Sequence, residues 1–216
     1  MQDFVARRVT MVDTQVRPND VTKFPIIEAM LHVAREDFVP AALREAAYIG
    51  ENLAVAPGRV VLEPRSFAKM LDALDVQPDE LILDIGCGLG YSSAVISRMA
   101  VAVVAVEDAD TATLAESALA QGGVDNVAVV AGPLDQGATR HGPYDAIMIE
   151  GGIEALPDSL SAQLKDGGRV IAIFMRGALG TVRLGRKIDG HIIWRDIFNA
   201  TAPVLQGFAV IPAFAL

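Results

Sequence analysis

The chain has 216 residues, enough for one α/β domain with an extension, and 52% of them are hydrophobic, which points to a large core or an apolar face covered by a partner. With 27 acidic against 18 basic residues the net charge is −9, which argues against a nucleic-acid partner, because phosphate binding draws on clustered Lys and Arg. Cys87 is the sole cysteine, so an internal disulfide or a thiolate metal cluster is excluded, and His32, His141 and His191 lack the spacing of a metal site. The longest apolar run, 99–106, is far short of the roughly 20 residues that cross a bilayer, so no membrane span is expected. The N-terminal residues mix charges with apolar side chains and show no export signal, which gives a cytoplasmic expectation.

Between 11 and 44 apolar residues recur at helical spacing, punctuated by Pro18, Pro25 and Pro40, and short helices are expected. A link marked by proline and glycine follows at 52–64. Residues 66–74 read as a helix with Ser66 near its N-cap. After Asp79 the pattern becomes strand (81–85), helix (91–99), strand (102–106), helix (110–121), strand (127–131), strand (144–150), helix (156–164) and strand (166–174). That alternation predicts a mostly parallel, doubly wound sheet with helices on both faces. The tail reads as antiparallel strands at 181–187, 191–198 and 203–211, the first two joined through an Asp189-Gly190 turn. Its basic stretch "RLGRK" (183–187) reads as the solvated face of a strand, and Trp194 and Phe198 as core on one face. The ending, 207–216, either completes the sheet or covers an oligomer interface. A helical extension carrying the substrate-side segment is expected over 1–78 and a nucleotide-binding domain over 79–216, packed as one unit.

The chemistry centres on "ELILDIGCGLGYSSAV", residues 80–95. Gly86, Gly88 and Gly90 give G-x-G-x-G on the first strand-to-helix turn of the sheet, where backbone approaches a ligand at the carboxyl edge. A dinucleotide fingerprint needs a glycine or alanine at 91, and that residue is Tyr91. Glu107 closes the second strand, where a carboxylate accepts from both ribose hydroxyls, and Asp84 puts a second acid at the same crevice. Two acids beside a glycine loop suit a ligand with an ammonium group and no phosphate, which describes S-adenosylmethionine (SAM). Cys87 reads as a small filler, with no histidine or lysine beside it to lower its pKa.

The chain resembles the protein-L-isoaspartate O-methyltransferase family, which repairs isomerised aspartyl residues with SAM. The resemblance runs through "MVDTQVRP", "EAMLHVAREDFVP", "EAAYIGENLAV", "LDIGCGLGYSSAV", "VAVE" and "LSAQLKDGGRVI". It implies a Rossmann-like class I methyltransferase with a helical N-terminal extension and an antiparallel C-terminal part. It also implies SAM as cofactor, a protein or peptide carboxylate as substrate, and a cofactor-binding set of Asp84, Gly86, Cys87, Gly88, Gly90, Glu107, Asp108 and Gly132.

Three departures fall on the substrate side. Between Gly58 and Pro64 the family has Gln-Thr-Ile-Ser-Gln, whereas this chain has Arg59, Val60, Val61, Leu62 and Glu63, with Leu62 in the place of the serine usually called catalytic. The family's Gly-Asp is Gly132-Pro133, with Asp135 a substitute at a different reach. Its Thr-Ala-Ala-Ala-Pro is replaced by Glu150, Gly151, Gly152, Ile153 and Glu154. A leucine donates no hydrogen bond, and weak or absent isoaspartyl methylation, with Leu62 a principal cause, is the expectation. Arg59 and Arg65 either clamp a substrate carboxylate, or pair locally with Glu63 or point to solvent. Glu150 either meets the substrate, as an orienting group or base, or serves as an N-cap or ion-pair partner beside Gly151. Besides isoaspartyl transfer, the alternatives are a relative retargeted to a less polar small-molecule acceptor, along an apolar wall of Val60, Val61 and Leu62, and a SAM-binding protein without transferase activity. Monomer and homodimer are both open.

Overall fold

A computed structural model describes residues 3–210. Its frame is a seven-stranded sheet, and the alternation read from the sequence supplies five parallel strands. These are β3 (Leu81–Ile85), β4 (Ala102–Glu107), β5 (Val127–Ala131), β6 (Tyr144–Ile153) and β7 (Leu164–Arg176). Two antiparallel strands, β8 (Leu179–Ile188) and β9 (His191–Asn199), extend it, giving the order β5-β4-β3-β6-β7-β8-β9. The chain reverses its direction of travel across the sheet between β3 and β6, which opens a crevice at their carboxyl ends.

Successive side chains of a strand point to opposite faces. Ile82, Val103 and Met148 therefore enter a core beneath α1 (Phe4–Met11), α2 (Phe24–His32), α3 (Pro64–Leu74) and α4 (Tyr91–Ile96). Leu83, Ile85, Val104, Val106, Ile147 and Ile149 enter a second core with Leu160 of α6 (Asp158–Gln163). The helix α5 (Ala109–Gln121) is started by Asp108, whose side chain accepts from the Thr111 N–H. N-terminal residues share the first core with the sheet, and α1 is stapled through buried Arg8, which donates to the Tyr48 hydroxyl at 3.0 Å and to Glu36 at 3.2 Å. Among the described residues no helix is long and apolar enough to cross a membrane.

The structure corrects several local expectations. The supposed link at 52–64 is a hairpin of β1 (Leu53–Ala56) and β2 (Arg59–Val61), turned through Gly58 at φ 69°. Its strands are too short for a clear two-residue alternation to show. Glu63, not Ser66, takes the N-cap position of α3, because Pro64 begins the helix, and Ser66 donates to the Glu63 carboxylate at 2.5 Å. The helix α4 ends at Ile96 rather than at 99. In β9 a bulge opposite Val182 and Arg183 inserts one residue, so Trp194 packs with the second core while Phe198 packs with the first. The expected strand at 203–211 is a loop over its described part, joined to the sheet by a bridge between Gly152 and Val204. Residues 211–216 of the ending lie outside the described residues.

Candidate functional site

The glycine loop between β3 and α4 has the backbone its composition calls for. Gly86, Gly88 and Gly90 all have positive φ, at 76°, 58° and 98°. A Cβ at Gly88 would stand 3.0 Å from Val55, so the hairpin closes directly on the loop. The Gly88 N–H donates to Glu107 at 2.7 Å, fixing the loop to the end of β4. Cys87 is buried, and burial together with the Asp84 and Glu107 charges pushes its thiol well up, so the neutral filler reading fits its surroundings.

Glu107 is fully buried and already engaged. The Arg59 Nε–H straddles its two oxygens at 3.0 and 2.9 Å, and the Asp108 N–H adds a donor at 3.1 Å. Arg59 also reaches Asp108 at 3.3 Å. Burial pushes the Glu107 carboxyl up, against the pull of the guanidinium and the Gly88 N–H. Each oxygen thus has two donors, the Arg59 Nε–H being shared between them. Arg59 is thus paired with Glu107 and Asp108 and not with Glu63.

Beside this pair lies a cavity of about 410 Å³ lined by Arg59, Asp108, Gly132, Pro133, Asp135 and Gly207, among others. Gly132 and Asp135 thus line the same cavity as Arg59 and Asp108. The wall from Gln206 and Gly207 carried no sequence signal. It exists because Leu205 packs onto Gly86 and Gly151, where added Cβ atoms would lie 3.1 and 2.6 Å away.

The second half of the site is buried at the ends of β3 and β6. Asp84 and Met148 are register partners, and Glu150, two residues further along, shares their face. Asp84 Oδ2 accepts from Ser92 at 2.7 Å and Ser93 at 2.6 Å. Burial nonetheless pushes its carboxyl up to about 6, with the Glu107 charge adding to the rise. Glu150 is pushed well up by burial and by Asp84, against the pull of Arg35. It caps no helix, since α6 begins after Pro157.

Arg35, which the sequence reading did not single out, is fully buried. It donates to the Ala47 carbonyl at 2.6 Å and the Leu62 carbonyl at 2.8 Å, and its guanidinium lies 4.8 Å from the centre of the Tyr91 ring. The signal was present as an arginine inside the "VAREDFVP" stretch. The bulk of Tyr91 is accommodated between Phe67 and Phe38, with ring centres 5.5 and 6.2 Å away.

Leu62 is turned into the protein interior. It is 1% exposed and packs in the first core with Val60 and Val61, so the three residues form no open apolar wall. Arg65 pairs locally with Glu63 at 3.7 Å, donates to Asn19 at 3.0 Å and lies over the Phe198 ring at 5.5 Å.

Against known proteins, residues 7–200 match the family described as Protein-L-isoaspartate(D-aspartate) O-methyltransferase (PCMT). The chain belongs to that family. It is 34% identical over 206 residues to the protein-L-isoaspartate O-methyltransferase of Methylorubrum populi, covering 94% of this chain and 96% of that one. To the enzyme of the same name from Koribacter versatilis it is 31% identical over 190 residues, covering 88% and 86%. A solved protein-L-isoaspartate O-methyltransferase superposes with a TM-score of 0.82 at 24% identity, over 93% of this chain and 66% of that longer one. A Plasmodium falciparum homologue, in complex with S-adenosyl-L-homocysteine (SAH), gives 0.78 at 18% identity, over 95% and 99%. Family and fold thus agree with the sequence expectation of a PCMT-type, class I O-methyltransferase. Among the described residues a glycine loop at positive φ beside the buried carboxylates of Asp84 and Glu107 is compatible with the cofactor of such an enzyme.

Proposed function

We propose that this protein transfers a methyl group from SAM to a carboxylate, with L-isoaspartyl residues of damaged proteins as the acceptor class. The observation that carries the reading is the glycine loop bonded through Gly88 to Glu107, at the sheet reversal, in a chain matched to the family over 7–200. When bound, SAM supplies an electrophilic methyl on a sulfonium for in-line displacement by an oxygen nucleophile. The chain has to bind and orient. Glu107 is the acceptor for the ribose, the cavity by Gly132 and Asp135 takes the base, and the free oxygen of Asp84 suits the ammonium end.

No general base is required, because a carboxylate with pKa near ~4 is already ionised at neutral pH. Rate therefore rests on holding it in line. The burial of Val60, Val61 and Leu62 removes the apolar wall that would have favoured a less polar acceptor. One observation favours a SAM-binding protein without transferase activity: Leu62 offers no side-chain donor where the family has serine. Calorimetry with SAH, followed by methyl transfer to an isoaspartyl peptide, tests the proposal. No SAH binding contradicts it, and binding without transfer to any carboxylate supports the non-transferase reading.

A further inference from the structure

Buried polar atoms without partners are rare in folded proteins, and where several coincide they mark a place built for something else. Among the described residues six such side-chain atoms occur, and four belong to one group: Asp84 Oδ1, Tyr91 Oη, Glu150 Oε1 and Arg35 Nη1. The group surrounds the carboxyl ends of β3 and β6. Glu150 interacts electrostatically with Asp84, Arg35 and Tyr91, and Cys87 feels both acids. Asp84 is largely committed to Ser92 and Ser93, and Arg35 to the carbonyls of Ala47 and Leu62. Glu150, 4% exposed with Oε1 unbonded, is the least committed of the four. Arg35 pins the main chain of Leu62, and β2, which immediately precedes it, packs against β6. The altered segment is thereby held beside the strand that carries Glu150, although the Leu62 side chain is turned into the core.

We propose that Glu150 orients the acceptor, its carboxyl O–H donating a hydrogen bond to the acceptor carboxylate and so taking over the duty of the absent serine hydroxyl. This rests on the reading of the protein as a carboxylate methyltransferase. The charge balance supports it. Burial and the neighbouring Asp84 both hold Glu150 in its protonated form, against the single opposing charge of Arg35, and Tyr91 and Cys87 bring no positive charge. A protonated carboxyl is a donor, so the repulsion an ionised Glu150 would exert on the substrate is absent. No proton changes hands in the step: the acceptor oxygen forms the C–O bond as the C–S bond breaks, and Glu150 keeps its hydrogen throughout. The sign of the pH dependence follows. Transfer is supported while Glu150 is protonated and falls on the alkaline side as it ionises, when the donor is lost and a like charge appears.

The test is methyl transfer to an isoaspartyl peptide by the native protein, Glu150→Gln and Glu150→Ala across pH 6–10, with SAH binding measured by calorimetry on all three. Native protein is expected to lose kcat/KM on the alkaline side. Glu150→Gln, whose amide still donates, keeps KM within about threefold and loses the alkaline fall. Glu150→Ala raises KM at least about tenfold while SAH affinity stays within about twofold, the mark of a lost acceptor contact rather than a lost fold. An unchanged KM and profile in Glu150→Ala, or a Glu150→Gln protein that binds SAH but is as defective as the alanine variant, overturns the proposal. Native protein that binds SAH and methylates no peptide overturns the role of Glu150 and leaves cofactor binding standing. Failure to bind SAH overturns the methyltransferase reading itself.

Discussion

Arg59 Nε lies 3.0 and 2.9 Å from the two carboxylate oxygens of Glu107, the residue proposed to accept from a ribose. The apparent affinity for a ligand falls with the fraction of protein whose binding group is free. Removing the guanidinium therefore raises affinity for SAH, by roughly tenfold if the competing contact is worth about 1.4 kcal/mol. The same change leaves a buried carboxylate without its partner and lowers stability by about 3–5 kcal/mol. Calorimetry and denaturant unfolding of Arg59→Ala check the two halves. Weaker SAH binding in the variant would show that Arg59 holds the cofactor instead of competing with it.

Leu62→Ser is expected to cost about 2–4 kcal/mol of stability without raising methyl transfer. The side chain at 62 is 1% exposed in the core, so shortening it leaves a cavity and buries a hydroxyl. Urea unfolding reads the first effect and a peptide methylation assay the second. A several-fold gain in transfer would show that the serine position faces the acceptor after all.

Gly88→Ala is expected to weaken SAH binding by about 1–2 kcal/mol, the usual cost of a left-handed backbone for a residue with a Cβ. At Gly88 the φ is +58° and Val55 would lie 3.0 Å from the new atom, so the strain falls on the loop that donates to Glu107. Binding isotherms of the variant measure it.

The buried acids set the pH dependence of stability. An acid whose folded pKa is raised keeps its proton when the unfolded chain has already lost it, so stability falls as pH rises between the two values. For Asp84 that window runs from 3.8 to about 6, and for Glu150 it starts near the ordinary carboxylate value and extends well above it. Thermal unfolding of ligand-free Glu150→Gln is expected to exceed that of native protein by roughly 3–6 °C at pH 8, with the gain vanishing near pH 4. An equal gain at both pH values would assign it to packing instead of ionisation.

The parallel strands and the glycine loop were legible because their signals are local: an apolar run, then glycines at alternate positions, then helical spacing. Glu107 was legible for the same reason, as the polar end of a buried strand. The partner of Glu107 was not, because Arg59 reaches it through a hairpin whose short strands read as a link. Nor was the wall at Gln206 and Gly207, which depends on Leu205 filling the space above Gly86 and Gly151. Trp194 and Phe198 were assigned to one face by counting residues, and a single inserted residue in β9 separates them. The burial of the Leu62 side chain was not legible either, because the family resemblance gives the position of a residue along the chain and not the direction of its side chain.

The most direct test of the central claim is transfer of labelled methyl from SAM to a pair of peptides differing only in an isoaspartyl or ordinary aspartyl linkage. Carboxylate methylation predicts a base-labile methyl ester on the isoaspartyl peptide, formed by native protein at neutral pH. Protein that binds SAH but leaves both peptides unlabelled would contradict it.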